Sequence, residues 1–213
     1  MYKVFIDGVE KHSVENSKAC QFGNVKVYAG DPWHQAQPGV IKDLTVKMKN
    51  PWSTVFERPA RFPLSKKNLL TTLPNLTREW TVGFSLHPTS LSHPGWTNIF
   101  HMSRGENQAN YGDRIPAVFF HRSSGLHIAS GVNDLPNYHK DFPAPTLGEW
   151  TRIQISQELL NGKLRFRVFI DGEEKHNVEN LRPSDFQNVK VFAADPWYEA
   201  LSGFVKDMSI KIK

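Results

Sequence analysis

The chain has 213 residues, of which 39% are hydrophobic and 12% aromatic, a composition that supports a core and excludes global disorder. Its formal net charge is +5, but lysines and arginines are scattered among acidic residues, unlike the dense basic stripe of a nucleic-acid-binding surface. No apolar run approaches the ~20 residues of a membrane-spanning helix, and no signal peptide is visible. The single cysteine, Cys20, excludes an internal disulfide. We therefore expect neither a nucleic-acid partner nor a membrane span.

The two ends of the chain are copies of each other. Residues 2–49 align without a gap with residues 166–213, and about 26 of the 48 positions are identical. The simplest interpretation is a unit that is complete once, over residues 50–213, and present a second time over residues 1–49 only as its closing strands. The pattern predicts a tandem-repeat protein in which this chain begins inside one unit.

Apolar and polar residues alternate with a period of two along much of the chain, and no dozen consecutive residues show a helical period. Segments with this alternation are predicted strands with one buried and one solvated face. In chain order they include residues 80–86, 153–155, 164–170 and 208–212. Residues 115–120 are apolar on both faces, which is typical of a central strand.

Turn residues separate these segments. Asn161-Gly162 and Asp171-Gly172 are signals for tight two-residue hairpins. The 14 prolines and 14 glycines fall mostly between predicted strands. Many short antiparallel strands with regularly spaced turns predict an all-β jelly-roll sandwich of two sheets. Trp80 and Trp150, at the starts of strands, are expected in its core.

Five segments together resemble one known family. They are YGDRIPAV at 111–118, GLHI at 125–128, GEWTRIQI at 148–155, RVFIDG at 167–172 and GFVKDMSI at 203–210. In this order they resemble a laminin G-like domain, one of the concanavalin A-like jelly rolls. The paired cysteines of pentraxins and the terminal disulfide of many laminin G domains are absent. The resemblance implies two curved antiparallel sheets whose rim loops bind glycans or proteins, often with one calcium ion.

Oxygen-bearing side chains collect in two predicted rim loops. Asp113 and Asn110 lie just before a predicted strand, and Asn133 and Asp134 open the next long loop. Calcium prefers carboxylate and carbonyl oxygens from loops, so Asp113, Asn110 and Asp134 are candidate ligands for Ca²⁺. The alternative is that Asp113 pairs with Arg114 or caps a turn.

Aromatic side chains in predicted loops could cover the apolar face of a sugar ring, and they are Trp96, Tyr138, Trp197 and Tyr198. The loops expected to carry recognition are 104–114, 131–142 and 194–202. The predicted ligand-binding residues are Asp113, Arg114, Asn133, Asp134, Tyr138, Trp197 and Tyr198. Trp197 has a copy in Trp33, and packing that closes the sandwich is the alternative role for such a repeated residue.

A catalytic role lacks a sequence signature. Glycoside hydrolases of this fold carry paired carboxylates along one strand, and no Glu-x-Asp-x-x-Glu run occurs here. We therefore predict a non-catalytic, secreted extracellular binding or matrix module that recognises a glycan or a protein. The alternative is a structural repeat that self-assembles, since residues 2–49 and 166–213 could compete for one place and exchange strands between chains. A glycan-active enzyme is the weakest alternative.

Overall fold

The computed structural model separates the chain into two compact units, Met1–Lys49 and Asn50–Lys213. Cys20 lies outside the residues that the structure describes. The described residues are 2–15, 26–36, 38–39, 41 and 52–213. All regular elements in these ranges are β-strands, and none of the described segments is a helix that could cross a membrane.

The described residues form sixteen strands, two in the smaller unit and fourteen in the larger. In the smaller unit they are β1 (Tyr2–Ile6) and β2 (Val9–Val14). In the larger unit they are β3 (Ser53–Arg58), β4 (Phe62–Pro63), β5 (Leu69–Leu76), β6 (Trp80–Pro88), β7 (Thr97–Ser103), β8 (Ala117–His121), β9 (Gly125–Val132), β10 (Leu135–Phe142), β11 (Thr151–Leu160), β12 (Lys163–Ile170), β13 (Glu173–Glu179), β14 (Phe186–Phe192), β15 (Glu199–Ala200) and β16 (Gly203–Ile212).

The larger unit is a sandwich of two seven-stranded sheets. One sheet has the order β10-β9-β8-β7-β14-β5, with the short β15 beside β7. The other has the order β13-β12-β11-β6-β16-β3, with β4 beside β16. All strand pairs are antiparallel except β15 with β7. The predicted all-β, two-sheet sandwich is confirmed.

The core follows the alternation in the sequence. Val82 and Phe84 of β6 are fully buried, as is Ile155 of the neighbouring β11. Phe84 meets Phe100 of the opposite sheet, with ring centroids 5.5 Å apart. Each such side chain stabilises the fold by about 1.5–3 kcal/mol through removal of apolar surface from water. Interdigitation of the two inner faces therefore holds the sheets together.

Two-residue turns close the hairpins as predicted. Asn161 and Gly162 both have positive φ, 52° and 78°, and Asp171 and Gly172 have φ of 51° and 81°. Positive φ at both central residues is the type I′ geometry, whose twist matches that of the flanking strands. These turns set the registers of β11 with β12 and of β12 with β13.

Two local predictions are wrong. Trp150 is not a core residue, because it precedes β11 and is 36% exposed, with its ring against His87 and 4.4 Å from the Lys206 ammonium. Residues 131–142 are not one long loop either. β9 runs to Val132 and β10 starts at Leu135, because Asn133 adopts a φ of 57° and reverses the chain in two residues.

The smaller unit repeats the local structure of its copy. β1 pairs with β2 in the register of β12 with β13, since Val4 opposite His12 corresponds to Val168 opposite His176. The bulge falls at the same place, after Val4 and after Val168. In the sandwich itself, residues 166–213 supply most of β12 and all of β13 to β16. Local sequence thus fixes the hairpin in both settings.

Gly125, at the start of β9, is constrained in two ways. Its φ is +73°, and a Cβ would lie 2.2 Å from the carbonyl oxygen of Phe142. Gly125→Ala should therefore lower the free energy of unfolding by about 3 kcal/mol or more, through backbone strain plus steric clash. Gly148→Ala is the matched control, because Gly148 has a φ of +78° but nothing within 4 Å of the added carbon. Urea unfolding should show about 1 kcal/mol for that control, and equal losses would contradict the clash.

Candidate functional site

The outer face of β8 and β9, away from the core, carries side chains unsuited to solvent. Along β8, Val118 and Phe120 belong to the core, so Phe119 between them points to the outer face. His127 of β9 lies directly opposite Phe119 in the register. Phe119 is nevertheless only 2% exposed, so other groups cover it.

These groups form a pocket of about 300 Å³, which we call the aromatic pocket. Its lining residues are Trp96, Arg114, Phe119, His127, Asn137, His139 and Tyr198. Trp96 directly precedes β7, Tyr198 directly precedes β15, and Arg114 lies in the connection from β7 to β8. The pocket thus joins a strand-borne floor to walls supplied by loops.

Aromatic rings make up the floor and one wall. The Phe119 ring centroid lies 5.2 Å from that of Tyr198 and 6.3 Å from that of Trp96, both edge to face. Trp96 also contacts the rings of His121 and His127, at 4.8 and 4.9 Å. Edge-to-face contacts of this kind hold each ring in one orientation. The apolar part of the pocket is therefore preformed.

His127 gives the pocket a polar atom of defined character. Its Nδ1 lies 2.6 Å from Oδ1 of Asp141, and since a carboxylate accepts, Nδ1 carries the proton. Burial lowers the pKa of His127; Asp141 opposes this effect, and the charges of His139 and Arg114 reinforce it. The ring is therefore neutral near pH 7 and its Nε2 is a hydrogen-bond acceptor.

Arg114 supplies the charge of the pocket. Its Nε donates to Oδ1 of Asn107 at 2.9 Å, and its Nη1 donates to Oδ1 of Asn137. Its Cζ lies 5.3 Å from the centroid of the Phe119 ring. Both hydrogen-bond partners are neutral amides, so they fix the guanidinium in position without neutralising its charge.

A buried histidine connects the two loops that form the walls. His101 Nε2 lies 2.7 Å from the carbonyl oxygen of Asp113, and Nδ1 lies 2.7 Å from Oδ2 of Asp195. Because a carbonyl only accepts, Nε2 donates, and the contact of Nδ1 with Oδ2 is a second hydrogen bond of the same ring. His101 and Asp195 are both fully buried. Asp195 Oδ1 also accepts the backbone N–H groups of Trp197 and Tyr198, at 2.9 and 2.8 Å.

A second, more open cleft of about 410 Å³ holds three of the predicted residues. Asn110, Asn133 and Asp134 line it together with Arg182. Asp134 pairs with Arg182 at 2.7 Å, but both side chains are 71% exposed, so solvent screens the pair. Asn133 uses its side chain within the fold, accepting from the N–H of Leu181 and donating to a backbone carbonyl.

The three predicted calcium ligands have different surroundings in the structure. Asp113 is 6% exposed, and its Oδ2 accepts the backbone N–H groups of Gln108 and Asn110, so it caps its own loop. Asp113 is also not among the residues that line the cleft of Asn110 and Asp134. Across the described ranges no group of three or more His, Cys, Asp or Glu side chains could hold a metal ion. Calcium binding by Asp113, Asn110 and Asp134 stays a prediction.

Two of the predicted aromatic residues, Trp197 and Tyr138, do not line the aromatic pocket. Trp197 is 38% exposed and its ring contacts those of His101 and Phe192, so it covers the buried histidine. Tyr138 lies on β10 between pocket residues Asn137 and His139 and therefore points to the other side of the sheet. Its hydroxyl bonds to His176 Nε2 at 2.8 Å, and burial raises its pKa.

Of the seven predicted ligand-binding residues, the aromatic pocket contains Arg114 and Tyr198. Trp96 was predicted only as a loop aromatic that could contact a sugar, and the prediction missed the other lining residues, which are Phe119, His127, Asn137 and His139. A signal for Phe119 was present, because a strand that is apolar on both faces must have its outer face covered. The histidines gave no signal, since their meeting depends on the registers of three strands.

Comparison with known proteins gives the fold and no family. No protein-family model matches the chain, and no curated protein matches its sequence. A heptameric SAP-like pentraxin from Limulus polyphemus is 18% identical with a TM-score of 0.50, over 72% of this chain and 76% of its own. The CBM40 of an IT-sialidase from Ruminococcus gnavus, solved with α2,3-sialyllactose, is 12% identical with a TM-score of 0.51, over 74% of this chain and 91% of its own. The chain therefore shares the jelly-roll sandwich fold of these two structures.

Asp195→Ala should lower the free energy of unfolding of the sandwich by about 3–5 kcal/mol, because it leaves Nδ1 of the buried His101 ring without its partner. It also removes the cap of the turn before Tyr198. The matched control is Asp31→Ala in the smaller unit, where Asp31 caps an identical turn at Trp33 and His34 but is exposed. Urea unfolding followed by tryptophan fluorescence measures both, and equal losses would contradict a special role for the buried pair.

Proposed function

We propose that the aromatic pocket binds a glycan and that the larger unit is a non-catalytic carbohydrate-binding module. The observation that carries this proposal is the combination of a preformed aromatic floor at Phe119 with hydrogen-bonding groups of Arg114, Asn137 and His127 around it. A pyranose has an apolar C–H face and a polar rim of hydroxyl groups. Ring faces bind the first, and side-chain donors and acceptors bind the second.

The sandwich shared with the Ruminococcus carbohydrate-binding module supports this class of function, although at 12% identity the likeness concerns the fold. A non-catalytic role is supported by the composition of the pocket. Its lining residues, all within the described part of the chain, include no aspartate or glutamate. Glycoside hydrolysis ordinarily needs two carboxyl groups flanking the bond.

The more specific parts of the proposal come from the sequence. The five family-like segments support the laminin G-like branch, and the copied end segments support a tandem repeat. We place the module outside the cell, where glycans are presented, and keep protein recognition as the alternative within the same class.

Trp96→Ala and Tyr198→Ala should each weaken glycan binding about 10-fold or more, because each removes part of the apolar surface that a sugar ring would cover. Trp150→Ala is the matched control, since Trp150 is 36% exposed and Trp96 37%, and Trp150 lies outside the pocket. A glycan array would identify a bound oligosaccharide, and calorimetry would compare the variants.

Binding that survives both pocket variants would place the ligand elsewhere, and a wild-type protein that binds no glycan would overturn the proposal. The same array read with and without a calcium chelator tests calcium dependence. Turnover of any polysaccharide would contradict the non-catalytic role.

A second candidate function is self-assembly, favoured by the apolar surface of the smaller unit. Val27 and Ile41 are 59% and 65% exposed, whereas their copies Val191 and Val205 are fully buried in the sandwich. The smaller unit also has the hairpin register and the aspartate-capped turn of its copy, residues 166–213. Both features support the idea that it could take the place of those strands. We propose that it fits the sandwich of a second copy of the chain, in the place that residues 166–213 occupy in their own.

Light scattering over a range of concentrations tests this candidate. Wild-type protein should form oligomers as concentration rises, and Val27→Asp should shift it towards monomer, because a charge would enter a position that is buried in the copy. Lys26→Asp is the control, since its copy Lys190 is exposed. A wild-type protein that stays monomeric, or two variants that behave alike, would contradict strand exchange.

A further inference from the structure

Arg114 is a half-buried cation without a counterion. Within the described ranges its side chain forms no ion pair, and its two hydrogen bonds go to the amide oxygens of Asn107 and Asn137. Asp113, its neighbour in the chain, uses its carboxylate to bind loop N–H groups. Asp141, the carboxylate bonded to the pocket, is occupied by His127.

Partly buried arginines of the same sandwich differ in this respect. Among the described residues, Arg152 and Arg165 also form no ion pair and donate to a carbonyl and an amide oxygen, whereas Arg167 is neutralised. Arg167, whose side chain is 19% exposed, pairs with both Glu158 and Glu174. Removing a cation from water is costly, and proteins usually offset that cost with an opposite charge. The Phe119 ring offers Arg114 a cation–π contact at 5.3 Å, which at this distance offsets only part of that cost.

The guanidinium is positioned to accept a further partner. It has five N–H donors, and its two hydrogen bonds use one on Nε and one on Nη1. Three donors on Nη1 and Nη2 are left, which is enough for a two-pronged contact with a planar carboxylate. Asn107 and Asn137 would hold the fork in place without neutralising it, so no side chain would need to move before binding.

We propose that the aromatic pocket takes a sugar residue that carries a carboxylate, such as a uronic or sialic acid, with Arg114 binding that carboxylate. The inference rests on the proposed glycan-binding function and names the ligand class of the same site. The pocket volume of about 300 Å³ lies at the lower end for ligand sites, which suits one sugar residue. The ring would lie against Trp96 and Tyr198, which are more exposed than Phe119 beneath them, and the carboxylate would supply the missing counterion.

Matched probe pairs test this inference. Each pair is an oligosaccharide that ends in glucuronic or sialic acid and the same oligosaccharide with that carboxylate reduced to an alcohol. The wild-type chain should bind the acid of at least one pair about 10- to 100-fold more tightly than its reduced partner, because a hydrogen bond to a charged group is much stronger than one to a neutral group. Calorimetry at two salt concentrations should show the preference shrinking with salt.

Variants assign the preference to one side chain. Arg114→Gln should abolish the difference within each pair, and Arg114→Lys should retain part of it, since lysine keeps the charge but loses the planar fork. Arg182→Gln is the control, because Arg182 lies in the other cleft and should leave the preference unchanged. Urea unfolding of each variant confirms that the sandwich is intact.

The possible outcomes separate this inference from the proposed function. Equal binding of acid and reduced probes, unaffected by Arg114→Gln but lost in Trp96→Ala, would overturn the acidic-sugar inference and leave glycan binding in place. A sulfated neutral probe that binds more tightly than the carboxylated ones would also overturn it. If the wild-type chain binds none of the probes and no glycan on the array, both proposals fail together.

Discussion

The two hydrogen bonds of buried His101 are the constraint on which the candidate site depends. They tie strand β7 to the loop that ends at Arg114 and to the turn that presents Trp197 and Tyr198. Backbone bonds such as Ile115 N–H to the Met102 carbonyl also hold these segments, and His101 adds one side chain that bonds to both. Because the interior offers no water as a substitute partner, breaking either bond would leave a polar group unsatisfied.

The same arrangement explains why the outer face at Phe119 can be apolar. A sheet face covered only by solvent normally carries polar residues at alternate positions. Here the rings of Trp96 and Tyr198 help to cover the outward Phe119, and the space above it is left as a pocket. Arg114 stands at that opening with its charge held by neutral partners. The apolar floor of the pocket and the uncompensated charge of Arg114 thus both result from the way in which the loops are anchored.

The fold was predictable because its signals are local. The site was not predictable, because its contacts join residues that are far apart in the sequence. Period-two alternation and residue pairs such as Asn161-Gly162 report the two-sheet sandwich and its hairpins directly. His101 and Asp195 are 94 positions apart, and no local pattern indicates that they meet. Tyr138 was predicted to lie in a loop. It lies on strand β10 instead, where its side chain points away from the aromatic pocket. Trp150 was misplaced because a residue that only precedes a strand need not follow its inward alternation.

The most direct test of the account is to locate the bound glycan by NMR. Backbone amide shifts would be followed while an oligosaccharide selected on the array is titrated into the ¹⁵N-labelled chain. The account predicts the largest changes at Phe119, His127 and His139, on the outer face of β8 to β10. Largest changes at Asn133, Asp134 and Arg182 instead would show that the open cleft is the binding site and would contradict the central claim.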